Sequence, residues 1–177
     1  MTKIRHKFCA HKIDLETEIL IIGTFNPETS ENEAAFFYSR NRNFLWTLIP
    51  TAFDDISLKG RTKEEKVNYI RDRKIDFIDL ITEVEVDKPD NYDDIYLDNR
   101  VTEWTDIVSE IEKLRNLKKV CFTRKTFTGI SNMKKRIDEI EKVCVQKKII
   151  FQYLTTPARY YRKDKQEEWT NFFKNGY

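Results

Sequence analysis

Four short apolar runs, separated by longer amphipathic segments, constrain the fold of this chain more than any other feature of its sequence. The runs are residues 18–23, 75–81, 119–123 and 148–154. Runs of this length and character are typical of strands that are buried on both faces of a sheet. Because helical patterns separate them, the sequence predicts an α/β fold, a three-layer α/β/α sandwich around a mainly parallel four-stranded sheet. We expect a single domain over residues 1–177.

The segments between these runs carry signals for helices. A Thr-x-x-Glu capping box at Thr62 predicts a helix that reaches Arg73, and Asn43 can cap another helix. The acidic stretch that ends at Asn99 is predicted to be a loop. Three further helices are expected at residues 102 or 103 to 114, 127–143 and 163–174.

The few cysteines and histidines exclude several kinds of chemistry. Cys9, Cys121 and Cys144 are far apart, so we expect neither structural disulfides nor a four-thiolate cluster. Both histidines, His6 and His11, precede the first strand, which excludes any histidine base from a later motif. A zinc site would need His6, Cys9 and His11, whose spacing matches no recognisable zinc motif. We therefore predict ordinary N-terminal residues, with no metal and no cofactor.

The net charge of +2 hides a strong asymmetry along the chain. Residues 76–98 hold nine acids and one base, whereas residues 113–136 hold nine bases and no acid. A basic surface attracts nucleic-acid phosphates, but a solvated helix face gives the same pattern. Charge alone does not distinguish a nucleic-acid-binding surface from a solvated helix face. Four more bases follow near the end of the chain: Arg159, Arg162, Lys163 and Lys165.

Missing motifs exclude further classes of protein. No apolar run approaches the roughly 18 residues of a membrane span, and the basic first twelve residues lack the apolar core of a secretion signal. We expect a cytoplasmic monomer with no membrane partner. Neither a Walker-type phosphate loop nor a G-x-G-x-x-G is present, so nucleotide kinases and dinucleotide oxidoreductases have no support.

The least generic residues follow the first and last strands, at the sheet edge where parallel sheets bind ligands. They are Gly23-Thr-Phe-Asn-Pro27, Phe37-Tyr-Ser-Arg-Asn-Arg-Asn-Phe-Leu-Trp46 and Leu154-Thr-Thr-Pro-Ala158. Together these motifs resemble the uracil-DNA glycosylase superfamily, most of all its hypoxanthine-DNA (deoxyinosine) glycosylases and next its mismatch-specific uracil glycosylases. The likeness covers nearly the whole chain, because Ile75-Asp-Phe-Ile-Asp79 and Cys121-Phe-Thr-Arg-Lys125 fall where that family has its middle strands.

The resemblance implies roles for individual residues. Asn43 lies where the family has its catalytic asparagine, and Tyr38 lies where a ring stacks on the extruded base. Asn26 is the second implied catalytic residue, because Asn26-Pro27 resembles the Asn-Pro of the mismatch-specific branch. The other implied base-binding residues are Gly23, Thr24, Phe25, Phe37 and Thr123. The implied DNA-binding residues are Arg42, Thr155, Thr156, Pro157, Ala158, Arg159, Tyr160, Arg162 and Lys163. Within this set, residues 155–158 would grip a phosphate, and Arg159 or Tyr160 would fill the vacated space in duplex or single-stranded DNA.

The chain departs from the hypoxanthine branch at three places. Glu28 stands where glycine is usual, Arg40-Asn41 replaces a His-Pro pair, and Thr123 stands where asparagine is common. These departures favour a second hypothesis, a non-catalytic module that binds DNA or a modified base. A third hypothesis is a small-molecule hydrolase in which Asp79 and Glu83 act as general acid and base.

The chemistry of base excision suits these residue types. Hydrolysis of an N-glycosidic bond builds positive charge on the sugar and negative charge on the base. An asparagine carbonyl can hold a water while its NH2 binds a base edge, and preorganised N–H groups stabilise charge in a dry cleft. Moving the base out of the DNA base stack costs about a few kcal/mol of free energy, and this cost is lower when the base is mispaired.

Taken singly, Asn43 is typical of a helix cap and Asn26 of a turn before proline. Their joint placement after the first strand, together with the motif after the last, favours a site. The sequence therefore predicts a monofunctional DNA glycosylase that excises uracil or hypoxanthine with a water positioned by asparagine.

Overall fold

The computed structural model describes residues 1–88 and 91–175, and Asp90 of the predicted acidic loop lies outside these ranges. The strands are β1 (Thr2–Arg5), β2 (Ile19–Gly23), β3 (Ile75–Asp79), β4 (Ile81–Val86), β5 (Val101–Trp104), β6 (Lys119–Phe122) and β7 (Ile150–Tyr153). The helices are α1 (Leu45–Ala52), α2 (Lys63–Asp72), α3 (Asp94–Leu97), α4 (Ile107–Lys113), α5 (Ser131–Gln146) and α6 (Lys163–Lys174). None of the described helices combines the length and apolar character that crossing a membrane requires.

Strands from the four apolar runs form one parallel sheet in the order β3-β2-β6-β7, which confirms the prediction. The second run is shorter than predicted, because β3 ends at Asp79 and Ile81 begins β4. β2 lies in the interior of this sheet, and all five of its residues are buried. Its register places Gly23 opposite Asp79 of β3 and Ile22 opposite Phe122 of β6. Because the strands run in the same direction, their carboxyl ends share one edge, where the loops that follow them meet.

Helices cover both faces of this sheet. Successive side chains of a strand point to opposite faces, so Leu20 and Ile22 join one apolar core while Ile19 and Ile21 join the other. Helices α4 and α5 close the first core, and α1, α2 and α6 close the second. The predicted three-layer α/β/α arrangement is confirmed.

A second, antiparallel sheet in the order β1-β4-β5 was not predicted. The acidic stretch that the sequence analysis treats as a loop contains β4 and leads to β5. The helix predicted to start at Thr102 or Glu103 begins only at Ile107, because those two residues belong to β5. Both predictions were wrong.

An alternation hidden among the acids explains the missed sheet. Val84 and Val86 of β4 are buried, whereas Glu83 and Glu85, each of which precedes one of these valines, are partly exposed. This period of two is the signature of a half-buried strand. Lys3 Nζ of β1 donates to Glu83 at 3.0 Å, so one of the acids is paired across strands rather than free in a loop.

Two helix starts also differ from the prediction. Phe44, not Asn43, occupies the cap position of α1. The Asn43 side chain still contributes, since its Oδ1 accepts the Leu45 N–H at 3.0 Å. Helix α5 begins at Ser131 rather than at residue 127. In its first turn, two backbone N–H groups donate to the carboxylate of the distant Asp98.

Lys119, the first residue of β6, links the parallel sheet to the end of α6. Its side chain is fully buried. Its Nζ donates to the backbone oxygens of Phe172 at 3.0 Å, Phe173 at 3.1 Å and Asn175 at 2.9 Å. A cation at a helix C-terminus satisfies carbonyls that have no partner within the helix.

Replacing Lys119 by methionine should therefore destabilise the protein. Lys119→Met keeps the length of the side chain but leaves two buried carbonyls and one partly buried carbonyl without this donor, so we expect the free energy of unfolding to fall by about 2–4 kcal/mol. Urea denaturation followed by circular dichroism measures this loss. Lys118→Met is the matched control, because Lys118 is half-exposed and its ion pair with Glu18 is worth less than about 1 kcal/mol. Equal losses for the two variants would contradict the assignment.

Candidate functional site

A cleft of about 510 Å³ opens at the carboxyl edge of the parallel sheet. Its walls come from the ends of, or the loops after, all four parallel strands. The residues implied by the sequence motifs that line it are Gly23, Thr24, Phe25, Asn26, Phe37, Tyr38, Asn43, Thr123, Thr155, Thr156, Pro157, Ala158 and Arg159. The fold thus brings together residues that are more than a hundred positions apart in the chain.

Four residues of the implied DNA-binding set do not line the cleft: Arg42, Tyr160, Arg162 and Lys163. They lie on the exposed surface beside it, where Tyr160 directly follows the cleft residue Arg159. Arg162 pairs with Asp164 at 2.7 Å. The implied DNA-binding set therefore divides into a cleft group and a surface group.

Backbone hydrogen bonds join the two sequence motifs that flank the cleft. The Phe44 N–H donates to the Pro157 oxygen at 2.9 Å, and the Arg159 N–H donates to the Arg42 oxygen at 2.8 Å. Asn43 lies between these two bonds, so its position is fixed by the loop after β7. Arg159 has a φ of 78°, in the left-handed region that side chains rarely adopt.

Asn26 is held by the N-terminal segment and by a neighbouring amide. The Lys7 N–H donates to the Asn26 backbone oxygen at 2.8 Å. The Asn26 Oδ1 accepts from the amide nitrogen of Asn32. Because its oxygen is engaged, the NH2 group of Asn26 is the end that can bind a ligand in the cleft.

The floor of the cleft depends on the absence of a side chain at Gly23. A Cβ on this residue would lie 2.2 Å from Oδ1 of Asp79 and 2.5 Å from the hydroxyl oxygen of Tyr38. Both polar atoms therefore occupy the space that any other residue would fill. Asp79 faces this position because it is paired with Gly23 in the sheet.

Tyr38 holds its hydroxyl over the floor in a strained conformation. Its φ of 54° lies in the left-handed region, and its ring packs edge-on against Phe77 at 5.5 Å. Within the described residues its buried hydroxyl makes no hydrogen bond of normal geometry, since the neighbouring Thr123 hydroxyl donates to the Ile22 oxygen at 3.2 Å. Burial raises the pKa of Tyr38 well above its ordinary value, and the Asp79 carboxylate raises it further. The side chain therefore stays a neutral O–H donor.

His6 pairs with Asp79 beneath the cleft, a contact that the sequence analysis did not anticipate. His6 Nε2 and Asp79 Oδ2 are 2.6 Å apart, and the two side chains are 4% and 8% exposed. The Phe8 N–H donates to Nδ1 of His6 at 3.0 Å, so the ring proton lies on Nε2 and is donated to Asp79. Oδ1 is left facing Gly23, and the described residues supply it with no hydrogen-bond donor.

Two other sets considered from the sequence are not assembled. His6, Cys9 and His11 line a common pocket, but each histidine is paired with a different carboxylate, His6 with Asp79 and His11 with Asp76, both at 2.6 Å. Among residues 1–88 and 91–175, no group of three or more His, Cys, Asp or Glu side chains is placed to hold a metal ion. Glu83 lies in the second sheet, where donation from Lys3 lowers its pKa, and it does not join Asp79 in the cleft.

The rim contains charged residues that the sequence analysis did not single out. Arg124 forms an ion pair with Asp94, whose Oδ2 lies 3.5 Å from the Thr24 hydroxyl. Burial raises the pKa of Asp94, although Arg124 opposes this effect. Arg124 is the second residue after the end of β6 and follows Thr123, so its position near a strand end could have identified it as a site residue. Asp94 belongs to the short helix α3 and carried no such signal.

No protein-family model matches the chain, and a search of curated proteins found no match. A solved structure does match, the solution NMR structure of a candidate uracil DNA glycosylase from Methanosarcina acetivorans. The two chains are 19% identical, the alignment covers 92% of each, and the TM-score is 0.64. At this identity the similarity establishes a shared fold.

The His6–Asp79 pair should contribute strongly to stability. His6→Leu leaves a buried carboxylate without its donor, and breaking a buried pair costs about 3–5 kcal/mol. We expect a loss of this order in the free energy of unfolding at pH 7, measured by urea denaturation. His11→Leu is the matched control and should cost less, because its pair with Asp76 is partly exposed.

A double variant distinguishes a specific interaction between His6 and Asp79 from an effect of side-chain packing alone. Asp79→Leu in the His6→Leu background removes the unpaired carboxylate, so the double variant should recover part of the lost stability. If the loss of stability in the double variant equals the sum of the losses in the two single variants, His6 and Asp79 are not coupled.

Proposed function

We propose that this protein is a DNA glycosylase that hydrolyses the N-glycosidic bond of a deaminated base, uracil or hypoxanthine, flipped from DNA into the cleft. The observation that carries this proposal is the convergence of the motif after β2 and the motif after β7 on one cleft. The fold shared with a candidate uracil DNA glycosylase supports it.

The size and lining of the cleft suit a single base. Its volume of about 510 Å³ lies within the usual range of small-molecule sites. Phe25, Phe37 and Tyr38 supply aromatic surface for the faces of a base. The Asn26 NH2 and the Asp79 Oδ1 offer one donor and one acceptor, which complement the C=O and N–H groups that uracil and hypoxanthine share.

Asn43 is the proposed catalytic residue. Its Oδ1 accepts one hydrogen bond from the Leu45 N–H and keeps a second lone pair for a water. That water attacks C1′ of the sugar as the bond to the base breaks, and it releases a proton to solvent to leave a hydroxyl on C1′. The electron pair of the broken bond leaves with the base, which takes a proton from solvent. Arg40 lines the cleft and places positive charge near the departing base.

The loop after β7 is proposed to hold the DNA backbone. Thr155 and Thr156 line the cleft, and hydroxyls are common phosphate ligands. Arg159 projects from a left-handed backbone position at the same loop. We propose that this side chain enters the space that the flipped nucleotide leaves.

A base-release assay tests the proposal. Oligonucleotides that carry uracil, hypoxanthine or xanthine are incubated with the protein and then with alkali, which cleaves at abasic sites. We expect cleavage at uracil or hypoxanthine and none in undamaged DNA. Asn43→Ala should lower the rate by at least about 100-fold, because it removes the group that positions the water. Its melting temperature should change by only a few degrees.

Asn68→Ala is the matched control, because Asn68 is exposed on α2 and lies outside the cleft lining. It should leave the rate unchanged. No cleavage of any substrate by the wild-type protein would refute the glycosylase assignment, and salt-dependent DNA binding without base release would favour the binding module instead. Full activity of Asn43→Ala would remove Asn43 from the reaction.

A further inference from the structure

Three aromatic rings lie on the surface beside the mouth of the cleft, and we call Phe44, Tyr160 and Tyr161 the aromatic strip. Tyr160 and Tyr161 are 48% and 43% exposed. The rings of Phe44 and Tyr161 are 6.2 Å apart. The strip continues from the cleft, because Phe44 follows the cleft residue Asn43 and Tyr160 follows Arg159. Adjacent exposed rings on a soluble domain indicate a binding surface.

The strip is held in place by buried polar groups. Nζ of the buried Lys165 donates to the backbone oxygens of Ala158 at 3.1 Å and Tyr160 at 2.7 Å. The Tyr161 hydroxyl donates to Oε1 of Gln166 at 3.1 Å, and Gln166 in turn donates to α1. The rings therefore form a preorganised platform, which lowers the entropic cost of binding.

Cations are interspersed with these rings. Lys59 Nζ lies 3.7 Å from the centre of the Phe44 ring. Near the Tyr160 ring, Lys165 Nζ lies 4.5 Å from the ring centre, and the Arg162 guanidinium, which also pairs with Asp164, lies 5.1 Å from it. Surfaces that bind single-stranded nucleic acid combine these two features, since the rings stack on bases and the cations follow one phosphate backbone.

The basic run of residues 113–136 does not supply a comparable surface for a duplex. Lys119 is buried against α6, and most of the other bases are paired with acids. The pairs are Lys113 with Glu110, Lys118 with Glu18, Arg124 with Asp94, Lys125 with Glu168, Lys134 with Asp138 and Arg136 with Glu139. Of the two interpretations of this run, a basic surface that attracts nucleic-acid phosphates and a solvated helix face, the structure favours the solvated face with paired charges.

We propose that the aromatic strip stacks unpaired bases next to the flipped nucleotide, so that the preferred substrate is single-stranded DNA. In a duplex these neighbouring bases are paired and stacked on each other, so their faces cannot meet the rings. The identity of the substrate rests on the proposed function, whereas contact between rings and bases does not depend on base release.

Binding to undamaged DNA tests the strip separately from catalysis. Fluorescence anisotropy compares a labelled oligothymidine of about 12 nucleotides, long enough for a typical single-strand site, with the same strand in a duplex. We expect the single strand to bind at least about tenfold more tightly. Tyr160→Leu/Tyr161→Leu should weaken single-strand binding at least about tenfold, because each stacked base contributes about 1–3 kcal/mol, and should change duplex binding less than about twofold.

Three further measurements exclude other causes. Tyr160→Phe/Tyr161→Phe keeps the rings and should retain most of the affinity. Tyr69→Leu, on α2 and outside the strip, should have no effect on DNA binding. The salt dependence of the affinity should be the same in the leucine variant as in the wild type, because no charge has been removed.

The outcomes separate the two proposals. Equal affinity for single strand and duplex, or single-strand binding that is indifferent to the leucine replacements, would overturn the role of the strip. If binding depends on the rings but no base is released from any substrate, the strip stands and the glycosylase assignment fails. If bases are released but the leucine replacements do not weaken single-strand binding, the glycosylase assignment stands and the role of the strip fails.

Discussion

The parallel alignment of β2 with β3 determines where the functional groups of this molecule lie. Gly23 and Asp79 are register partners at the carboxyl edge of the sheet, so the carboxylate meets a residue without a side chain. The space left by Gly23 holds both Asp79 Oδ1 and the Tyr38 hydroxyl. A slip of one residue would turn Asp79 to the opposite face of the sheet. The cleft floor is therefore a consequence of strand register.

The second sheet gives this floor its support. β1 pairs with β4, which follows β3 after a single residue. The His6 N–H donates to the Thr82 oxygen at 2.8 Å and so continues this pairing beyond the end of β1. The His6 side chain is thereby placed against Asp79, with its proton fixed on Nε2 by the Phe8 N–H. An N-terminal segment that looks generic in the sequence thus orients a carboxylate in the cleft.

The parts of the structure that depend on local sequence could be predicted. The four apolar runs specify the parallel sheet, and the capping box at Thr62 forms as expected, with Glu65 N–H donating to the Thr62 hydroxyl and Thr62 N–H to the Glu65 carboxylate. The strand-end motifs identify most of the cleft lining. Such features need only a period, a length or a pair of neighbours in the chain.

The parts that depend on distant partners could not be predicted. The contact between His6 and Asp79 joins residues 73 positions apart, and no spacing rule connects them. The valine alternation of β4 was obscured by its glutamates, whose partner Lys3 lies on another strand. The basic run looked cationic because its acidic partners, such as Glu18 and Glu168, come from other parts of the chain.

We propose that a flipped base occupies the cleft over Gly23. NMR mapping of backbone amide shifts tests this placement most directly, with a single-stranded oligonucleotide carrying uracil or hypoxanthine added to the Asn43→Ala protein. We expect the largest shifts at Gly23, Thr24, Tyr38 and Thr155. Saturable binding with no shift at these four amides, and with changes confined to other surfaces, would contradict it.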